Sequence, residues 1–304
     1  ALLAEVAYEL EREHGKVPGG GAVVIAMGKL GGREMTASSD IDLILVYDCE
    51  EGALQSDGAR PLAPSHYYSR MTQRLITALS APTAEGTLYE VDMRLRPSGQ
   101  KGPVATKLKS FIDYQNAEAW TWEHMAMTRA RLIAGDPELA NRVEGAIRDA
   151  LTKTRDRAQI AVDVRDMRQR IATEKGTDKI WNLKQVRGGL VDLEFIAQHL
   201  QLVNAAEHPE ILDQNTLIAL EKLKRAGILN SKDAADLIEA GRLVHALTQI
   251  VRLSLDHAFD PQNAPAGLKA LLARSAEKPD FDAVETELKA ALDKVKLAFD
   301  RLVV

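Results

Sequence analysis

Three aspartates are the residues of this 304-residue chain with the clearest potential for chemistry. Asp40 and Asp42 stand one residue apart just before an aliphatic run, and Asp92 follows fifty residues later. Alternation along an extended strand sends Asp40 and Asp42 to the same face. Mg²⁺ commonly takes one or two carboxylates together with substrate phosphates. An Asp-x-Asp pair by itself is more often a solvated strand end, so its surroundings decide its meaning.

The turn before this pair is rich in glycine. Gly28, Gly31 and Gly32 lie between two apolar runs, residues 23–27 and 43–47, which predict buried strands. Glycines have no Cβ and therefore let backbone N–H groups approach phosphate oxygens closely. Strand, glycine turn and paired carboxylates together indicate a nucleotide-handling site.

The third aspartate lies in a segment that alternates between apolar and charged residues. Residues 88–97 predict a strand whose polar face carries Asp92, Arg94 and Arg96, and Pro97 ends it. One interpretation is an edge strand with a solvated face of balanced charge. The other is a phosphoryl-transfer site, where a carboxylate helps to hold metal ions and arginines stabilise charge on the leaving oxygens.

The order of these motifs carries a family resemblance. Gly28 and Lys29, then Asp40 and Asp42, then Asp92 resemble the polymerase-beta-like nucleotidyltransferase superfamily, with Lys29 in place of the usual serine. Longer strings resemble the glutamine synthetase adenylyltransferases; they lie at 28–35, 39–43, 89–99 and 118–124.

The resemblance implies an α+β fold with two domains. Residues 1–154 would form a nucleotidyltransferase domain, a small mixed sheet with flanking helices, and residues 155–304, whose apolar stripes have helical spacing, an all-α helical bundle. The implied reaction transfers AMP from ATP to a tyrosine hydroxyl of glutamine synthetase and releases pyrophosphate, with two Mg²⁺ ions as cofactors. It would regulate nitrogen assimilation in the cytoplasm.

The resemblance also implies roles for individual residues. Asp40, Asp42 and Asp92 would be the catalytic residues and metal ligands, and the expected nucleotide contacts are Gly28, Lys29, Gly32, Ser39, Arg94, Arg96 and Lys184. Lys184 precedes the pair Gly188-Gly189, after which a helix N-terminus would bind an anion. Ordinary helix capping and a domain hinge are equally open for that segment.

Three functions are consistent with the sequence, two of them opposite enzymatic activities. The family carries an adenylyl-removing half and an adenylyl-adding half in one chain, and the strings 97–99 and 118–124 favour the adding, C-terminal half. The alternatives are phosphorolytic removal of AMP and a non-catalytic regulatory docking module. A PII signal protein and the N-terminal half of the full-length enzyme are further implied partners.

Composition excludes several classes of protein. A net charge of −5 argues against general nucleic-acid binding, which usually needs a basic face. The single cysteine, Cys49, excludes an internal disulfide framework and agrees with a reducing cytoplasm. No apolar run approaches membrane-spanning length, and the histidines have no zinc-site spacing. Because the sequence starts with Ala1 inside an amphipathic helical pattern, we expect the chain to be a fragment of a longer protein.

Helical spacing predicts further elements of the first domain. Residues 50–65 are expected to form a loop and 67–79 a helix. A single helix is expected from Ser110 to a turn at Gly135. Three aromatic residues of this helix are interpreted mainly as packing residues rather than base-stacking ones: Tyr114, Trp120 and Trp122. Four charged residues are interpreted, as an alternative, as a buried ion network that supports the metal site: Glu118, Glu123, Arg129 and Arg131.

Overall fold

The computed structural model describes residues 1–37, 39–87 and 89–304. The chain divides into two compact units. The first comprises Ala1–Met35 and Ser39–Leu151, and the second consists mainly of Thr152–Val304. Ser38, from the glycine-rich stretch, and Leu88, from the start of the predicted third strand, lie outside the described residues.

The first unit contains both helices and strands. Its helices are α1 (Leu2–His14), α2 (Gly28–Gly31), α3 (Pro64–Leu79), α4 (Leu108–Ala117), α5 (Thr121–Met127) and α6 (Pro137–Leu151). Its strands are β1 (Gly21–Ala26), β2 (Ile41–Asp48), β3 (Pro82–Thr83), β4 (Gly86–Thr87), β5 (Val91–Asp92), β6 (Ala105–Lys107) and β7 (Arg131–Gly135), and a 3₁₀ turn spans Gly99–Lys101.

Strand β2 is the centre of a small mixed sheet. It pairs antiparallel with β1, which pairs antiparallel with β7. On its other side β2 pairs parallel with β5 at its start and with β6 further along. Leu45 and Tyr47 pack with Met71 and Leu75 of α3, since alternate β2 residues face that helix. The predicted α+β class, the two strands around the glycine turn and the helix over 67–79 are confirmed.

The predicted single helix from Ser110 to Gly135 is wrong. The chain instead forms α4, α5 and strand β7. A new helix, α5, begins at Thr121, and the backbone N–H of the preceding Trp120 donates to Glu123 Oε2 over 2.9 Å, which caps it. Residues 131–135 then pair with β1, so tertiary pairing overrides their helical spacing.

The predicted strand over 88–97 is also too long. Strand β5 covers only Val91–Asp92, because the side chain of Asp92 accepts the backbone N–H of Arg94 and turns the chain. The expectation that Trp120 is a packing residue is wrong as well, since 69% of its surface is exposed.

The second unit is helical. It contains α7 (Arg157–Lys175), α8 (Leu190–Asn204), α9 (Thr216–Arg225), α10 (Ser231–Ser254), α11 (Ala266–Ser275), α12 (Phe281–Leu302) and a 3₁₀ turn over Pro209–Ile211. Side-chain oxygens cap four of these helices at their N-termini: Asp156, Asn215, Asn230 and Asp280. No helix in the described part of the chain is long and apolar enough to cross a membrane.

Candidate active site

The glycine turn and the first aspartate strand are in direct contact. Gly28 begins α2 with φ 51°, and a Cβ added there would lie 2.3 Å from Asp42 Oδ2. The backbone N–H of Met27 donates to the carbonyl oxygen of Asp42 over 2.9 Å. The Asp42 carboxylate therefore lies against a stretch of backbone that only glycine leaves open.

Parallel pairing brings the second and third aspartates side by side. Asp42 is the register partner of Asp92, and the N–H of Ile41 donates to the carbonyl oxygen of Glu90 over 2.8 Å. Paired residues on neighbouring strands lie about 5 Å apart and direct their side chains to the same face. Asp40 is exposed just ahead of β2. The structure thus gathers all three predicted aspartates at one end of the sheet.

Arg94 engages the Asp92 carboxylate fully. Its backbone N–H donates to Asp92 Oδ1 over 2.8 Å, while its Nε and Nη2 both donate to Oδ2, the former over 2.7 Å. These bonds lower the pKa of Asp92, chiefly through the side chain of Arg94. The pKa of the Arg94 guanidinium is raised by Asp92 first and then by Asp42 and Asp40, so the guanidinium lies within the field of all three carboxylates.

The carboxylates are close in register without forming a closed cage. Over residues 1–37, 39–87 and 89–304, no three His, Cys, Asp or Glu side chains form a group that could hold a metal ion. The donor chemistry suits Mg²⁺ nevertheless, because the aspartates offer oxygen ligands beside a glycine cradle. The Asp92 carboxylate is instead paired with Arg94.

Arg96 contacts a different part of the chain from Arg94. Because β5 ends at Asp92, the guanidinium of Arg96 turns inward and donates to the carbonyls of Met93 (2.7 Å), Pro103 (3.1 Å) and Gly102 (3.2 Å). Burial lowers its pKa. Arg96 therefore holds the loop after β5 in place.

The other predicted nucleotide contacts of this unit surround the turn. Lys29 is half-buried in α2, and its carbonyl accepts the N–H of Glu34 over 2.9 Å. Gly32 is buried and its N–H donates to Gly28 O over 3.1 Å, so it closes the turn. Ser39 is half-buried beside Asp40.

Two arginines on the far side of the turn hold it against β7. Arg131 Nε donates to Gly31 O over 3.0 Å and Nη2 to Leu30 O over 2.7 Å. Arg129 and Glu34 form an ion pair whose side chains are 5% and 6% exposed. Of the residues predicted to form an ion network, Arg129 pairs with Glu34, which lies ninety-five residues earlier and was missed because no local pattern connects them.

Removal of the Glu34 charge should destabilise the first unit. In Glu34→Gln the buried Arg129 guanidinium loses the charge of Glu34, and breaking such a buried ion pair typically costs about 3–5 kcal/mol. Urea unfolding followed by circular dichroism measures this loss. Arg142→Met is the control, since the Arg142–Asp48 pair joins the same unit through a 59% exposed arginine and should matter by about 1 kcal/mol or less. Equal losses in the two variants would contradict the importance of the buried pair.

The string 118–124 forms a small rigid corner. Tyr114 Oη donates to Glu123 Oε1 over 2.8 Å, and Glu123 also accepts the Trp120 N–H. Burial and this bond to Glu123 raise the pKa of Tyr114, whereas a hydrogen bond from the backbone N–H of Ser98 lowers it. The backbone of Trp120 is therefore tied through Glu123 and Tyr114 to the loop that follows Arg94.

Lys184 lies in the second unit and is exposed. It lines a cavity of about 590 Å³ with the buried Trp181 and Phe259. The helix N-terminus after Gly188-Gly189, predicted as an anion site or a cap, is occupied by the chain's own carboxylate. Asp192 is fully buried and accepts hydrogen bonds from the Arg168 guanidinium, the Gly188 N–H and, over 2.9 Å, Arg187 Nη1. This arrangement favours the capping interpretation.

Comparisons with known proteins address the two halves of the chain separately. Residues 2–146 match the family described as glutamate-ammonia ligase adenylyltransferase. The aspartate-bearing segment is thus similar to an adenylyltransferase family. Residues 160–303 match the family described as GlnD PII-uridylyltransferase, which covers most of the helical unit.

Individual relatives extend the similarity along the whole chain. A bifunctional glutamine synthetase adenylyltransferase/adenylyl-removing enzyme of Bradyrhizobium diazoefficiens is 50% identical over 98% of the chain. Proteins of the same description from Xanthobacter autotrophicus and Rhizobium meliloti are also 50% identical, over 99% and 100% of the chain. The chain spans only 30–31% of the length of these relatives.

Proposed function

We propose that this chain transfers AMP from ATP to a tyrosine hydroxyl of glutamine synthetase and releases pyrophosphate. The observation that carries this proposal is the parallel pairing of Asp42 with Asp92 beside Gly28. It supplies acidic ligands and a close backbone approach in one place, within a segment similar to an adenylyltransferase family. On this proposal residues 1–154 are the catalytic domain, of the polymerase-beta-like superfamily, and 155–304 a helical bundle domain.

The carboxylates of Asp40, Asp42 and Asp92 would hold Mg²⁺, two ions on the family pattern. When bound, Mg²⁺ supplies charge neutralisation for the triphosphate and lowers the barrier to attack at the α-phosphorus. The fit rests on the donor chemistry of the aspartates and on the space that Gly28 leaves beside Asp42.

The protein's own residues have separate tasks in the reaction. A free tyrosine hydroxyl has a pKa near 10, so a base must take its proton as the oxygen attacks phosphorus. Asp92 is assigned that role as well as metal binding. We assign the phosphate contacts to Lys29 and the Gly28 backbone, and the stabilisation of charge on the departing pyrophosphate to Arg94. Gly32 and Arg96 act by shaping the turn and the loop; Ser39 and Lys184 remain proposed nucleotide contacts.

The proposal also specifies which of the family's two activities this chain has, namely the addition of AMP and not its removal. The strings 97–99 and 118–124 support it, and the structure joins them through Tyr114, since the Ser98 N–H and Glu123 both interact with its hydroxyl. Glutamine synthetase would be the protein substrate. A PII signal protein and the rest of the longer chain found in the relatives would be regulatory partners.

The test is transfer of label from ATP to glutamine synthetase. The 304-residue chain is mixed with unmodified synthetase, Mg²⁺ and ATP labelled at the α-phosphate, and label on the synthetase is followed with time. We expect transfer with the wild-type chain and none with Asp40→Asn. A sample of pre-adenylylated synthetase with phosphate tests the removing activity, in which phosphate attacks the tyrosyl-AMP ester, the tyrosine hydroxyl is restored and AMP leaves as ADP.

The outcomes separate three functions. Label that depends on Asp40 supports the adding half. Release of ADP without transfer of label would assign the chain to the removing half. Silence in both directions would favour a docking module that needs the remainder of its chain.

A further inference from the structure

Arg94 and a divalent cation compete for one carboxylate. Both oxygens of Asp92 already accept hydrogen bonds from Arg94, Oδ1 from its N–H and Oδ2 from its guanidinium. The guanidinium donates twice to Oδ2 and the backbone N–H once to Oδ1, so at most one lone pair, on Oδ1, is left for a metal ion. A guanidinium this close would also repel the cation.

The Arg94 side chain can exchange Asp92 for another partner, whereas the Asp92 side chain is held in place by its strand. The Arg94 side chain is 69% exposed, while that of Asp92 is 16% exposed and lies on a paired strand. An exposed ion pair contributes little to stability, so exchanging partners is inexpensive. A triphosphate would give the guanidinium an anionic, bidentate partner of the kind that arginine favours.

We propose that Arg94 stays hydrogen-bonded to Asp92 until a nucleoside triphosphate binds its guanidinium instead. Asp92 is then released as a metal ligand, so the metal site is completed only in the presence of nucleotide. This inference rests on the proposed function. It explains why the three aspartates share one end of the sheet without forming a closed group among the described residues. It also keeps the like-charged carboxylates compensated when no cation is present.

The consequence is positive coupling between metal and nucleotide. Any ligand that removes Arg94 from Asp92 strengthens metal binding there, and metal must strengthen nucleotide binding by the same factor. Without Arg94 the metal no longer has to displace a guanidinium. The metal affinity of the nucleotide-free protein should then rise, and the coupling should shrink.

Mn²⁺ binding measures this coupling without turnover. Free Mn²⁺ is followed by electron paramagnetic resonance in titrations of the full 304-residue chain, with and without α,β-methylene-ATP, which cannot transfer AMP. Without nucleotide, Arg94→Ala should bind Mn²⁺ about two- to tenfold more tightly than wild type. The nucleotide-induced gain in Mn²⁺ affinity should be smaller in Arg94→Ala and intermediate in Arg94→Lys, which keeps charge but not the fork.

Two further variants keep the outcomes distinct. Lys101→Ala removes an exposed positive charge from the nearby 3₁₀ turn and should leave Mn²⁺ affinity unchanged. With α,β-methylene-ATP present, Asp92→Asn should weaken Mn²⁺ binding, because Arg94 has then released the carboxylate. If Asp92→Asn weakens binding but Arg94→Ala does not strengthen it, the Arg94 inference is overturned and the metal assignment stands. If Asp92→Asn binds Mn²⁺ like wild type even with the nucleotide analogue present, the metal assignment of the proposed function fails.

Discussion

Asp42→Asn is expected to abolish AMP transfer while the chain still folds. The substitution keeps the shape of the side chain but removes a charge that would hold the metal beside Gly28. Metal stabilisation of a phosphoryl transition state is worth several kcal/mol, so the rate should fall on the order of 10³-fold or more. Initial rates of label transfer to glutamine synthetase measure it.

The fold should not suffer from this change. The strand pairing of Asp42 with Asp92 uses backbone groups, which the substitution leaves intact. The midpoint of thermal unfolding should therefore stay about the same. Asp48→Asn is the matched control, since Asp48 ends the same strand and pairs with Arg142 instead. Near-normal turnover in Asp42→Asn, or an equal loss in Asp48→Asn, would contradict the site.

Local patterns were sufficient for the strand, turn and strand that carry the first two aspartates. Apolar runs flanking glycines predict buried strands, and the strand pairing confirms it. The register of Asp42 with Asp92 could not be predicted, because it depends on parallel pairing between segments fifty residues apart. Sequence spacing placed the carboxylates on plausible faces but could not show that Arg94 already occupies one of them.

The errors share a physical cause. Helical spacing over 110–134 combined two short helices and a strand, because α5 and β7 are too brief for periodicity to separate them. The alternation over 88–97 continued past Asp92, although its side chain bonds its own backbone and turns the chain. In both places a local hydrogen bond or a distant strand overrides the pattern.

The glycine at the start of α2 provides a geometric test of the same site. In Gly28→Ala the new Cβ would lie 2.3 Å from Asp42 Oδ2 and 3.1 Å from Asp42 Cγ. Relief of this clash requires a displacement of roughly 1 Å, which in an organised site costs on the order of 10²-fold in rate. We expect kcat for AMP transfer to fall by that factor, measured with labelled ATP.

The control for this substitution separates backbone strain from displacement of the carboxylate. Gly52→Ala also places alanine at positive φ, 84° against 51°, but its Cβ would have no described atom within 4 Å. Both variants should lose about 1–2 kcal/mol of stability, since left-handed backbone is unfavourable for alanine. Only Gly28→Ala should lose transfer activity. Equal activities would mean that Asp42 need not lie against this turn, and the site would have to be built from other residues.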